Sequence, residues 1–110
     1  MALSEDKIKK IITGFIVRLK QEIPIKGVIL FGSYAHGKPK EYSDIDLAVI
    51  SDWFEGRPKR ENMQHLSRIA AAYNSLIEAI SFTEKEYINL DKRTFLAGIV
   101  KNGRNYNELI

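Results

Sequence analysis

The chain has 110 residues, of which 45% are hydrophobic, enough for one domain with a single core and too few for two. Seventeen Lys and Arg against fourteen Asp and Glu leave a net charge of +3. The basic residues are scattered from Lys7 to Arg104, so an anion can be contacted but a dedicated nucleic-acid-binding surface is not indicated.

Cysteine is absent, which excludes disulfides and thiolate metal sites. Apolar runs such as Val28 to Phe31 are far too short for a membrane span. The opening "MALSEDKIKK" lacks the apolar core of a signal peptide, so a cytoplasmic protein folded as one domain over residues 1–110 is expected, with no membrane partner.

In chain order, Ile8, Ile11, Ile12, Phe15, Ile16 and Leu19 recur at helical spacing behind Ser4, which predicts a capped amphipathic helix. "VILF", Val28 to Phe31, enters through Pro24 and Gly27 and closes at Gly32, the pattern of a buried strand. A short helical or turn segment follows, broken at Gly37 and Pro39. "DIDLAVI" predicts a second strand from Asp44 to Ile50. "SDWFEGRPKR", Ser51 to Arg60, has the composition of a loop. Met63, Leu66, Ile69, Ala70 and Tyr73 repeat with a helical period, and "LIEAISF", Leu76 to Phe82, predicts a third strand. Thr83 and Glu86 form a capping box that starts another helix. "TFLAGIVKNG" predicts a last helix ended by Asn102 and Gly103. Strands alternating with helices place the fold in the α/β class.

Asp44 and Asp46 stand two apart on a strand and therefore share a face. Two carboxylates about 4 Å apart repel by roughly 4 kcal/mol at an effective dielectric near 20. A divalent cation relieves that repulsion, and an oxygen-only set suits Mg²⁺ or Mn²⁺ better than zinc; hydrated carboxylates at a strand mouth are the alternative. Gly32 and Ser33 end the first strand in a turn whose N–H groups and hydroxyl suit a phosphate, although an ordinary strand-end turn has the same composition. Glu78 lies in an apolar strand and is expected to be buried and in need of a partner. It is read as a third ligand beside the Asp pair; a salt bridge, or exposure on an edge strand, is the other reading. A site shared between the end of the first strand and the start of the second requires those strands to be antiparallel, hence a mixed sheet.

The pattern Gly32-Ser33, ten residues, Asp44-Ile45-Asp46 resembles the defining motif of the DNA polymerase β-type nucleotidyltransferase superfamily. More narrowly, the chain is similar to the minimal nucleotidyltransferases (MNT) of HEPN/MNT toxin–antitoxin pairs, and "IVKNGRNYNEL" is similar to their closing segment. The resemblance implies a polymerase β-like fold and Mg²⁺-dependent transfer of a nucleoside monophosphate, AMP from ATP being the expected case, onto a hydroxyl of a HEPN-type ribonuclease toxin. It implies that Gly32 and Ser33 hold the leaving phosphates. Asp44 and Asp46 would ligate two Mg²⁺ ions, with Mn²⁺ able to substitute, and Glu78 would take the third-acid position. Glu78 stands where family members often carry Asp, and His36 where Arg is frequent. His36 and His65 are read as helix-surface residues, and most of the Arg57, Lys59 and Arg60 group as solvated. An aminoglycoside-type nucleotidyltransferase and an antitoxin acting by binding alone are the competing expectations, and a homo-oligomer is compatible with each.

Overall fold

Ser4 starts the first helix as its spacing requires, its hydroxyl accepting the Lys7 N–H at 3.2 Å. In the computed structural model, which describes residues 2–110, this helix α1 spans Glu5–Lys20 and buries Ile8, Ile12, Phe15, Ile16 and Leu19 along one stripe. Glu5 and Asp6 in its first turn and Arg18 and Lys20 in its last complement the helix dipole.

Three strands follow the apolar runs: β1 (Gly27–Phe31), β2 (Ile45–Ile50) and β3 (Ile77–Phe82). β1 and β2 are antiparallel, with Phe31 opposite Asp46, whereas β3 runs parallel to β2, with Glu78 opposite Asp46. A fourth strand, β4 (Arg104–Asn105), pairs antiparallel with β1 and completes a mixed sheet of order β3-β2-β1-β4. β4 leaves no signal in the sequence, because two exposed residues carry no alternation to detect.

Helix α2 runs Lys59–Tyr73, so the segment from Ser51 to Arg60 is not wholly a loop. Pro58 fixes the entry to the helix, and a 3₁₀ turn at Asp52–Phe54, capped by Ser51, drives Phe54 into the core at 1% exposure. Thr83 and Glu86 make the expected reciprocal capping box at the start of α3 (Glu84–Ile88), and Thr94 caps α4 (Phe95–Asn102).

The two-residue period of β2 divides the interior. Ile45, Leu47 and Val49 join α1 and α2 in the larger core, while Ala48 and Ile50 meet Ile29, Phe82, Leu96 and Ile99 beneath α4. Asp46 belongs by parity to the α4 face. The end of the sheet that carries it has the start of α4 on the same face, where Phe95 meets Phe31, the cross-strand neighbour of Asp46. No helix among the described residues is long and apolar enough to cross a membrane.

Candidate active site

Asp46, Glu78 and Asp44 meet at that end of the sheet for a reason of register. Side chains of residues directly opposite one another in neighbouring strands point to the same face, which sets Glu78 of β3 beside Asp46 of β2. Asp44 precedes β2 by one residue and lies two positions from Asp46. One carboxylate oxygen from each of the three lies within 4.8 Å of the others.

Asp46 is half-buried, whereas Asp44 and Glu78 are exposed. Glu78 was expected to be buried because its strand is apolar. That reason is corrected: β3 is the outer strand of the sheet, and its α4 face is left uncovered at Glu78. The location beside the Asp pair stands on register instead of burial. Among the described residues, no lysine or arginine forms an ion pair with any of the three acids.

Burial first, then the charges of Glu78 and Asp44, push the Asp46 carboxyl up from 3.8 to about 6. A raised folded-state value means that the protonated form is favoured by folding. The corresponding stability is fully present below the unfolded value of about 3.9 and is lost as pH rises through about 6. In the absence of divalent cations, the melting temperature should therefore carry a downward component between about pH 4 and 6. Asp46→Asn should flatten it, as thermal melts across that range would reveal.

The Gly32-Ser33 turn is built around the same carboxylate. Gly32 has φ +75°, and a Cβ there would sit 2.2 Å from Asp46 Oδ2. Glycine is thus required both by the backbone and by the approach of the acid. The Gly32 carbonyl accepts the Ala35 and His36 N–H groups at 3.1 Å, and the Ser33 carbonyl accepts that of Lys38, also at 3.1 Å. Tyr34 is buried and its hydroxyl accepts the Leu3 N–H at 3.2 Å, which pins the turn to the chain ahead of α1. Ser33 itself stays exposed. The segment is a run of turns and not a helix, so His36 lies exposed on a turn.

Before Asp44, Ser43 Oγ accepts the Lys40 N–H at 2.7 Å, and the Lys40 carbonyl accepts the Ser43 N–H at 3.0 Å. This closes a tight turn with Tyr42 at φ 66° and 82% exposed.

An all-oxygen cluster of this span fits Mg²⁺ or Mn²⁺, which bind oxygen at about 2.1 Å, and offers nothing to a metal that prefers nitrogen or sulfur. The sheet order places the Gly-Ser turn on one flank of Asp46 and Glu78 on the other. A phosphoryl group at the acids would have a turn on one side and a carboxylate on the other.

The sequence profile of the nucleotidyltransferase domain family matches residues 12–102. MJ1305 of Methanocaldococcus jannaschii, provisionally named a protein adenylyltransferase, is 38% identical over 65 residues, covering 57% of this chain and 42% of its own length. MJ1215 of the same organism, similarly named, is 44% identical over 43 residues, covering 39% of this chain and 50% of its own. The chain therefore matches half or less of these relatives' length. Among solved structures, one from Sulfolobus solfataricus, provisionally described as a nucleotidyltransferase, superposes with a TM-score of 0.61 at 21% identity over 76% of this chain and 73% of that one. A toxin–antitoxin structure with AMP-PNP gives 0.57 at 23% identity over 84% and 70%. A mutant of the toxin–antitoxin pair MntA-HpeT gives 0.53 at 24% identity over 98% and 80%. These likenesses are of fold: the mixed sheet and its helices are those of a polymerase β-like nucleotidyltransferase.

Proposed function

From the premise that this chain belongs to the nucleotidyltransferase domain family, we propose that it transfers AMP from ATP onto a hydroxyl of a partner protein. The observation that carries the proposal is the convergence of Asp44, Asp46 and Glu78 within 4.8 Å, beside a glycine turn that packs directly on Asp46. The partner is a toxin of the HEPN ribonuclease type and the chain its antitoxin. The relatives' names support the reaction, and the toxin–antitoxin neighbours support a protein partner.

Asp44 and Asp46 would hold divalent cations, two Mg²⁺ being the expected number, with Glu78 as the third acid. When bound, the ions would supply charge neutralisation for the phosphoryl transfer. The chain's own residues orient the substrate. Ser33 and the N–H groups of its turn receive the β- and γ-phosphates, so that the α-phosphorus faces the acids. An acceptor hydroxyl entering from the β3 side attacks in line, forming a new P–O bond while the α–β bridging bond breaks. Its proton passes to the Glu78 carboxylate, and pyrophosphate leaves toward Gly32 and Ser33. A tyrosine is the proposed acceptor. The partner brings the surface that positions it, because the small sheet leaves the acid cluster open on its β3 side.

Pyrophosphate formation from ATP and Mg²⁺ in the presence of a HEPN-domain partner tests this reading. Pyrophosphate should appear in step with modified acceptor, whereas orthophosphate without pyrophosphate would contradict it. Glu78→Gln should retain ATP binding and lower the transfer rate by about 10² to 10⁴-fold, the range of general-base catalysis. A wild-type rate in that variant would remove Glu78 from the mechanism.

A further inference from the structure

Beside Gly32, on the α4 face of the sheet, lies a cleft of about 280 Å³ lined by Phe31, Gly32, His36, Phe95, Gly98 and Asn102 among others. We propose that this cleft is the nucleobase subsite, in which the Phe95 ring stacks on a purine. The inference rests on the nucleotidyltransferase reading above and says where that substrate's base is held.

Three observations carry it. Residues 95, 98 and 102 are spaced i, i+3 and i+7, so they form one stripe along α4, adjacent to the buried Leu96 and Ile99 that anchor the helix. Phe95 is 62% exposed and its only described ring partner is Phe31, in a T-shaped pair with centroids 5.8 Å apart. Most of an aromatic ring is thus left for a ligand, and base–aromatic stacking is the sequence-tolerant use of such a ring.

Gly98 is the second observation. Glycine is the poorest helix former after proline, yet a Cβ there would meet nothing within 4 Å. Packing does not demand glycine at this position; what it preserves is open space in the wall of the cleft.

The third observation is distance. Phe31 is the direct neighbour of Asp46 across β1 and β2, a spacing of about 5 Å. The Phe95 ring packs on that same Phe31, with centroids 5.8 Å apart, which sets it next to the strand end that carries the acids. The cleft is continuous with Gly32, so a nucleotide bent at the α-phosphate can place its outer phosphates at Ser33 and its base under α4. The volume is near the lower end of small-molecule pockets, about 300 Å³, and suits a heterocycle. The Asn102 amide and the His36 ring supply donors and acceptors for the base edge.

Equilibrium titrations of ATP and of inorganic tripolyphosphate, both with Mg²⁺, test the assignment in wild type, Phe95→Ala and Gly98→Leu. Phe95→Ala removes the stacking surface, and Gly98→Leu fills the open space without a clash at Cβ. Each should weaken ATP binding tenfold or more and leave tripolyphosphate within twofold, with circular dichroism confirming the folded state. Unchanged ATP affinity in both variants, or equal losses for both ligands, would overturn the base subsite and leave the transfer reading standing. A wild type that binds neither ligand would instead overturn the transfer reading, and this inference with it.

Discussion

Asp46→Asn is expected to lower nucleotidyl transfer by about 10³-fold or more while raising the melting temperature of the metal-free protein above pH 7. Both effects have one origin. Burial first, and then the charges of Glu78 and Asp44, push the Asp46 carboxyl up to about 6, so its ionised form is the one the fold disfavours. Neutral Asn removes the repulsion and with it a strong oxygen ligand. Loss of several kcal/mol of charge stabilisation at the phosphoryl group corresponds to about a thousandfold in rate. A gain in stability coupled to a loss of activity is the signature of a site strained for its task. Rates with Mg²⁺ and ATP, together with melts in a chelator, check both halves. A variant that is less stable than wild type under chelation would place Asp46 among ordinary structural residues.

Gly32→Ala should be nearly as damaging, through geometry instead of charge. The new methyl would fall 2.2 Å from Asp46 Oδ2, in a backbone conformation of φ +75°. The left-handed conformation alone costs roughly 1–2 kcal/mol for a residue with a Cβ. The carboxylate must also move aside, and a displacement near 1 Å in a positioned catalytic group is worth about 10²-fold in rate. The expected result is a transfer rate down by 10² or more with a melting temperature lower by several degrees. Serine at position 32 should behave like alanine, because the obstacle is the Cβ itself. Wild-type activity in Gly32→Ala would mean that the turn is not held against the acid during turnover.

These two residues were also the most legible. The two-residue strand period points to Asp44 and Asp46 on one face, and their carboxylates do meet although Asp44 lies one residue ahead of β2. The Gly-Ser turn could share their site only if β1 and β2 were antiparallel, which the register bears out. Glu78 was placed correctly beside them for an incorrect reason. Its apolar neighbours suggested burial, but an apolar strand at a sheet edge can bury one face and expose positions on the other, as Glu78 does between Ile77 and Ala79.

What escaped the sequence did so because its signal is tertiary. β4 exists because β1 offers an open edge, and its two residues have no pattern of their own. The 3₁₀ turn after β2 depends on Phe54 finding the core. His36 was read as a helix-surface residue, yet the chain from Ser33 to Gly37 is turn and brings it to the cleft beside Gly32. In the last helix, Asn102 was legible as a helix end. Its alignment with Phe95 and Gly98 gained meaning only once the buried stripe of Leu96 and Ile99 showed which side of α4 faces the sheet.

Following both ends of the triphosphate tests the central claim most directly. ATP labelled at the α-phosphate, and in a separate reaction at the γ-phosphate, is incubated with the chain, Mg²⁺ and a HEPN-domain partner. The acid cluster and its turn predict that the α label becomes bound to a hydroxyl of the partner while the γ label leaves as pyrophosphate, and that Asp46→Asn abolishes both. Transfer of the γ label to the partner, or retention of both labels on free ATP by a protein shown to bind Mg²⁺ and its partner, would contradict it.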